Sequence, residues 1–182
     1  MYLTKTYSQK VIKYLFYALL GSILLTISAK IRIPFYPVPM TMQTFVVMFL
    51  GITLGSRVGA IAVIFYLLEG ILGLPVFSNS PEKGIGIVYF TGPTMGYLIG
   101  FIFSVYLIGY FNLKKSFVEI FFKLVLSVSI IYLIGFIWLG ILIGWNKPIF
   151  DLGVKPFLLA ELFKVLLLAF LTKYFLKFRK FI

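Results

Sequence analysis

The chain contains no cysteine and no histidine, and its five acidic residues stand against seventeen Lys and Arg. Without cysteine there are no disulfides and no thiolate chemistry; without histidine the commonest metal ligand and neutral-pH general base is missing too. The single aspartate, Asp151, excludes a paired-aspartate protease. No G-x-x-x-x-G-K-[ST] loop is present, so the chain does not hydrolyse ATP by that route. A Lys-assisted serine nucleophile would need a serine at the depth of Lys164 in a neighbouring span, and none is expected there. The reading is of a protein that is not an enzyme and needs no metal or cofactor.

Charge of either sign is scarce. Of 182 residues, 62% are hydrophobic and 12% charged, with a mean hydropathy of +1.09. A soluble domain of this length has too little interior to hide so much apolar surface. Lipid must be part of the solvent, and the expectation is a single multi-pass domain over residues 1–182 in the cell membrane. The net charge of +12 does not point to nucleic acid, because the basic residues fall between apolar runs rather than in a basic domain. Lys10 and Lys13 precede an apolar run with no small-residue cleavage site after it, which reads as a first transmembrane helix rather than a signal peptide.

About 20 residues are needed to cross a bilayer. Spans are expected at about 11–31, 40–55, 58–77, 89–111, 117–144 and 156–176, giving an all-α integral membrane protein with six transmembrane helices in one compact bundle. The prolines of Pro34-Phe35-Tyr36-Pro37-Val38-Pro39 forbid helix between the first two spans. Only Gly55-Ser56-Arg57 separates the second from the third, and the fifth is long enough to be tilted or to hide a break. Ten basic residues (Lys5, Lys10, Lys13, Arg57, Lys114, Lys115, Lys173, Lys177, Arg179, Lys180) lie on the side of the termini, and five (Lys30, Arg32, Lys83, Lys147, Lys155) lie opposite. That asymmetry places both termini in the cytoplasm. Small residues recur at four-residue spacing, in Gly51, Gly55 and Gly59 and again in Gly92, Gly96 and Gly100, a pattern that lets helices approach closely. Packing within the chain is the expected use, with Ala18 and Ser22 also a candidate docking face for another membrane protein.

The outer ends of the spans gather polar residues: Gln43, Asn79, Thr91, Thr94, Glu161 and Lys164. A charge at bilayer depth costs roughly 2.5–3.5 kcal/mol, so Glu161 and Lys164 in one span need a reason. At spacing i,i+3 they share a helix face, where they either neutralise each other or grip a ligand together. Asn79 in Ser78-Asn79-Ser80-Pro81 is either a turn former or a ligand contact; Gln43 bonds either a neighbouring helix or a ligand. Aromatics lie alongside, in Phe35, Tyr36, Phe77, Tyr89, Phe90 and Tyr97. Together they would line an outward pocket for a small molecule with one acidic end and a polar ring. Glu69, in the third span, must face the interior and be protonated or paired.

Four ordered blocks carry a family resemblance: Pro37-Val38-Pro39-Met40-Thr41-Met42-Gln43; residues 51–59, from Gly51 through Gly55-Ser56-Arg57 to Gly59; residues 66–77, ending Gly73-Leu74-Pro75-Val76-Phe77; and Gly92-Pro93-Thr94-Met95-Gly96-Tyr97 on to Phe101. In these blocks the chain resembles the biotin-specific S components of energy-coupling-factor transporters, the BioY family. The resemblance implies a six-helix subunit that binds biotin from outside and delivers it to the cytoplasm with a transmembrane coupling subunit and two cytosolic ATP-binding subunits. An S component for another small vitamin or precursor is the alternative. The resemblance further implies ligand contacts at Asn79, Glu161 and Lys164, with Gln43 and Tyr97 joining them from the residue reading. The family more usually has Asp where this chain has Glu161, which adds one methylene. First-helix docking residues would fall on Ala18 and Ser22.

Overall fold

Three apolar segments, Gln9–Lys30, Gln43–Ile71 and Phe117–Ile143, are helices long and apolar enough to cross a bilayer in the computed structural model. The structure describes residues 2–34 and 36–181, with side chains from residue 9 onwards, so Phe35 and the side chain of Lys5 lie outside the described residues. Helix α1 (Tyr2–Lys30) ends where the proline-rich segment begins, and two short strands, β1 (Arg32–Ile33) and β2 (Met40–Thr41), pair antiparallel across it. Helix α3 (Met95–Tyr110), helix α4 (Phe117–Ile143), the single turn α5 (Ile149–Gly153) and α6 (Leu158–Phe175) complete the bundle.

The expected second and third spans are the two limbs of α2 (Gln43–Ile71), which doubles back at Gly55. Gly55 has φ 78° and ψ 179°, a backbone state that a Cβ would obstruct. The reversal shows in a contact between its ends: Gln43 Nε2 donates to the Tyr66 hydroxyl at 2.8 Å. In a straight helix those residues would stand about 35 Å apart. The third span ends at Ile71 rather than near residue 77, and α3 starts at Met95 rather than near 89. Residues 72–94 instead form an outer segment with a 3₁₀ turn, Gly86–Thr91. Helix α4 runs unbroken, as its length allowed.

Both glycine rows are used inside the bundle. A Cβ on Gly51 would meet Ile108, and one on Gly100 would meet the Ile131 backbone, so the helices touch at these points. Gly109 of α3 lies directly against the Gly55–Ser56 bend. Arg179, beyond α6, donates from Nη2 to the Gly51 carbonyl at 3.0 Å and to the Gly109 carbonyl at 2.7 Å. The second of these is among the last carbonyls of α3, which have no partner within their own helix. The C-terminal turn thus sits at the Gly55 end, beside Tyr17 and Leu20 of α1. The positive-inside rule assigns this end to the cytoplasm. The hairpin, the 72–94 segment and the start of α6 share the opposite end.

The expectation of a docking face at Ala18 and Ser22 is corrected. Both are 0% exposed, packed within the chain. Ser22 Oγ donates to Glu69 Oε1 at 2.6 Å, which gives Glu69 the partner its depth required. The outward face of α1 is instead large and apolar, carrying Ile12, Phe16, Ile23 and Ile27.

Candidate ligand-binding site

Lys164 and Glu161 stand one turn apart on α6, 5% and 6% exposed, with Nζ 2.7 Å from Oε1. The segment before α6 sets their position: Asp151 and Lys155 pair at 2.7 Å across the α5 turn, and Phe157 is buried just ahead of the helix. The Asp151 hydrogen bond holds the Lys155 ammonium above its ordinary range.

Opposite α6 stands the junction of the hairpin with α2. Lys164 Nζ donates to the Thr41 carbonyl at 2.7 Å, to Thr44 Oγ1 at 3.0 Å and to Glu161 Oε1. An ammonium has three N–H groups, so all of its donors are engaged. Thr44 in turn donates to Glu161 Oε1 at 2.8 Å. The carboxylate that accepts from this hydroxyl is itself neutralised by the Lys164 ammonium, which makes it a weak base towards Thr44. Thr44→Val keeps the shape but leaves Lys164 one acceptor short. It is expected to destabilise the protein by about 1.5–3 kcal/mol, the usual worth of a hydrogen bond to a charged group, measured by thermal unfolding in detergent.

The knot leaves one oxygen over. Glu161 Oε2 is buried and makes no hydrogen bond of normal geometry among the described residues, although the Tyr132 hydroxyl lies beside the carboxylate. Glu161 belongs to the wall of a narrow cavity of about 40 Å³ at the outer end of the bundle. Val38, Pro39 and Thr41 of the hairpin, Gln43 and Thr44 of α2, and Ser78 and Tyr89 of the outer segment form one part of that wall. Thr94, Tyr97, Leu98 and Phe101 from α3, Ile131 and Tyr132 from α4, and Phe157 form the rest. Tyr97 is fixed by its hydroxyl, which donates to the Gly153 carbonyl at 2.9 Å, and its ring meets Tyr132 edge to face at 5.9 Å.

The outer segment is held by an aromatic nest centred on Phe77, 1% exposed. Its ring stacks on Tyr89 at 4.6 Å and takes Tyr66 and Phe90 edge-on, both at 5.3 Å. Gly70 makes room for it, since a Cβ there would lie 2.0 Å from the Phe77 ring.

Of the residues the sequence singled out, Gln43, Tyr97 and Glu161 share the cavity wall, while Lys164 stands behind Glu161 rather than on the wall itself. Asn79 is next to the wall residue Ser78, with its Oδ1 accepting from Arg32 Nη1. Tyr36 is 81% exposed and not part of the cavity wall, and Thr91 is also exposed. The sequence reading missed Thr41, Thr44 and Tyr132. Thr44 did leave a signal, a hydroxyl where an apolar span begins, whereas Thr41 serves Lys164 through its backbone carbonyl, which any residue would offer. Tyr132, alone in a long apolar helix, left none.

Comparison with known proteins bears on this geometry. Residues 4–181 match the BioY family. The chain is 37% identical over 150 residues to the biotin transporter BioY of Thermotoga maritima, covering 82% of this chain and 87% of that one. It is 30% identical over 168 residues to the biotin transporter BioY2 of Lactococcus lactis, covering 90% and 87%. Its fold superposes on the crystal structure of an S-component for biotin from an ECF-type ABC transporter with a TM-score of 0.76, 26% identity and 93% of each chain covered. With nearly its whole length matched, this multi-pass membrane protein belongs to the BioY family.

Proposed function

We propose that this chain is the substrate-binding subunit of a vitamin uptake transporter, taking biotin into the outer cavity for delivery to the cytoplasm. The observation that carries the reading is the buried Glu161 carboxylate, one oxygen of which makes no hydrogen bond of normal geometry, set in an aromatic-walled cavity of a BioY-family chain. A carboxylate oxygen accepts from the N–H groups of a ureido ring, and charge assistance strengthens such a bond. Tyr97, Phe101 and Tyr132 offer flat apolar surface to the thiophane ring and alkyl chain. Asn79, the neighbour of the wall residue Ser78, is the proposed second polar contact. Lys164 acts chiefly through Glu161, whose charge it holds in place, and reaches a ligand carboxylate only by exchanging one of its three bonds. The cavity is narrower than biotin; we place the widening in the hairpin and the 72–94 segment, which roof it without being built into long helices.

Delivery needs an energy source that this chain lacks, having no phosphate-binding loop. Its proposed partners are a transmembrane coupling subunit and two cytosolic ATP-binding subunits.

Calorimetric titration of the purified protein with biotin tests the reading. Heat of binding is expected, with a thermal stabilisation that grows with ligand, about 2.7 kcal/mol at 100 times Kd. Neither heat nor stabilisation would identify a membrane scaffold in which the polar pairs only fix packing. Tighter binding of another small vitamin would reassign the cargo.

A further inference from the structure

A groove of about 590 Å³ opens between α4 and α6, far larger than the outer cavity. Its mouth is made by Leu126 and Leu133 of α4 and by Leu158 and Leu162 of α6, each about half exposed. Four half-exposed leucines on two membrane-spanning helices turn this mouth towards lipid. Ser129, also at the mouth, donates its hydroxyl proton back to the Val125 carbonyl at 2.8 Å and has none left for a ligand. The back of the groove is Tyr132 and Glu161, which line the outer cavity as well. The groove therefore lies directly behind the buried Glu161–Lys164 pair.

An apolar recess left empty forfeits the dispersion contacts of its walls, and water in it would lack polar partners. A hydrocarbon chain supplies what is missing. Along α4 the lining runs from Val125 to Phe136, roughly 16 Å at the rise of an α-helix. That is about half of a ~30 Å hydrocarbon core, the depth of one leaflet. The outer end of the groove is lined by Phe150 and Val154 of α5, and Lys147 and Lys155 flank that turn. Asp151 matches Lys155 at 2.7 Å, whereas Lys147 has no carboxylate partner among the described residues. One positive charge thus remains beside the place where a chain entering from the outer leaflet carries its headgroup.

We infer that the α4–α6 groove is a binding site for one anionic phospholipid, with an acyl chain between the helices and the phosphate beside Lys147. The chain seals the membrane side of Tyr132 and Glu161. It keeps the Glu161–Lys164 pair in dry, low-dielectric surroundings, where opposite charges attract most strongly. The site is independent of what the outer cavity binds.

The test titrates phosphatidylglycerol and, separately, phosphatidylcholine into delipidated protein in detergent, without biotin, and counts bound lipid by native mass spectrometry. Wild type is expected to hold one phosphatidylglycerol per chain and to prefer it to phosphatidylcholine. Leu162→Trp and Ser129→Phe push an aromatic ring into the groove from opposite helices, and each should lose that lipid. Leu159→Trp, at an 80% exposed position of α6 off the groove, should keep it. Lys147→Gln should still hold the chain but lower the preference for phosphatidylglycerol roughly fivefold, the worth of one Lys at an anionic surface. The two filling variants lie on different helices, so misfolding of one leaves the other to decide. No bound lipid in wild type, or equal binding in a folded filling variant and in Leu159→Trp, would overturn the site. An equal hold on both lipids in wild type would overturn the anionic occupant.

Discussion

Lys164→Met is expected to lower the thermal midpoint of the detergent-solubilised protein sharply and to abolish measurable biotin binding. The substitution keeps an unbranched apolar stem but removes the ammonium from a place where it is 5% exposed and holds three acceptors. Glu161 then keeps Thr44 at Oε1 and, beside the carboxylate, only the Tyr132 hydroxyl, which makes no hydrogen bond of normal geometry to Oε2. Stranding one member of a buried ion pair costs about 3–5 kcal/mol, a large part of the 5–15 kcal/mol by which domains are ordinarily stable. The informative companion is Glu161→Gln together with Lys164→Met. With both charges gone, the penalty for an unpaired ion disappears, and most of the stability should return. Binding should not, since the charged acceptor for the ureido N–H is absent. If the double variant recovers both stability and wild-type affinity, the pair is only a structural salt bridge and the ligand site lies elsewhere.

Gly109→Ala carries the second large effect, at the other end of the molecule. A Cβ there would lie 2.3 Å from the Ser56 nitrogen and 2.5 Å from the Gly55 carbonyl carbon. Both are backbone atoms of the bend that reverses α2, so nothing flexible can swing away. Overpacking commonly costs about 1–3 kcal/mol, and more where the obstacle is backbone. Displacing α3 would also pull the Gly109 carbonyl from Arg179. A loss of that size is expected in thermal unfolding, with the biotin Kd of the folded fraction nearly unchanged because the cavity is at the opposite end. An unaltered midpoint would mean that α3 does not rest on the bend.

Much of this architecture could be read from the chain because lipid imposes a simple rule: a span is long and apolar, and whatever interrupts it is conspicuous. Gly55-Ser56-Arg57 announced a reversal, and the three prolines between α1 and α2 announced a non-helical connection. Glu161 and Lys164 stood out because charges at that depth need compensation, and the structure gives them each other. What could not be read was which distant groups would meet. Thr44 finds Glu161 across 117 positions, and Arg32 finds Asn79 across 47, separations at which no periodicity speaks. The five-residue α5 and the two-residue strands are likewise too short to leave a repeat. Ala18 and Ser22 misled for a different reason. Small residues mark a close approach, but not whether the approaching helix belongs to the same chain.

The 2.7 Å contact between Glu161 and Lys164 also has an electrical side. Opposite charges so close together add nothing to the net charge of the outer end, and the membrane voltage exerts no net pull on them. A bound monocarboxylate changes that. A field of 100 mV acts on one elementary charge with about 2.3 kcal/mol over a full crossing. Across a membrane that is negative inside, the field drives anionic cargo outward. On the proposed function, biotin taken up through this site would move against the voltage, so the work of bringing it in has to be supplied by something other than the membrane potential.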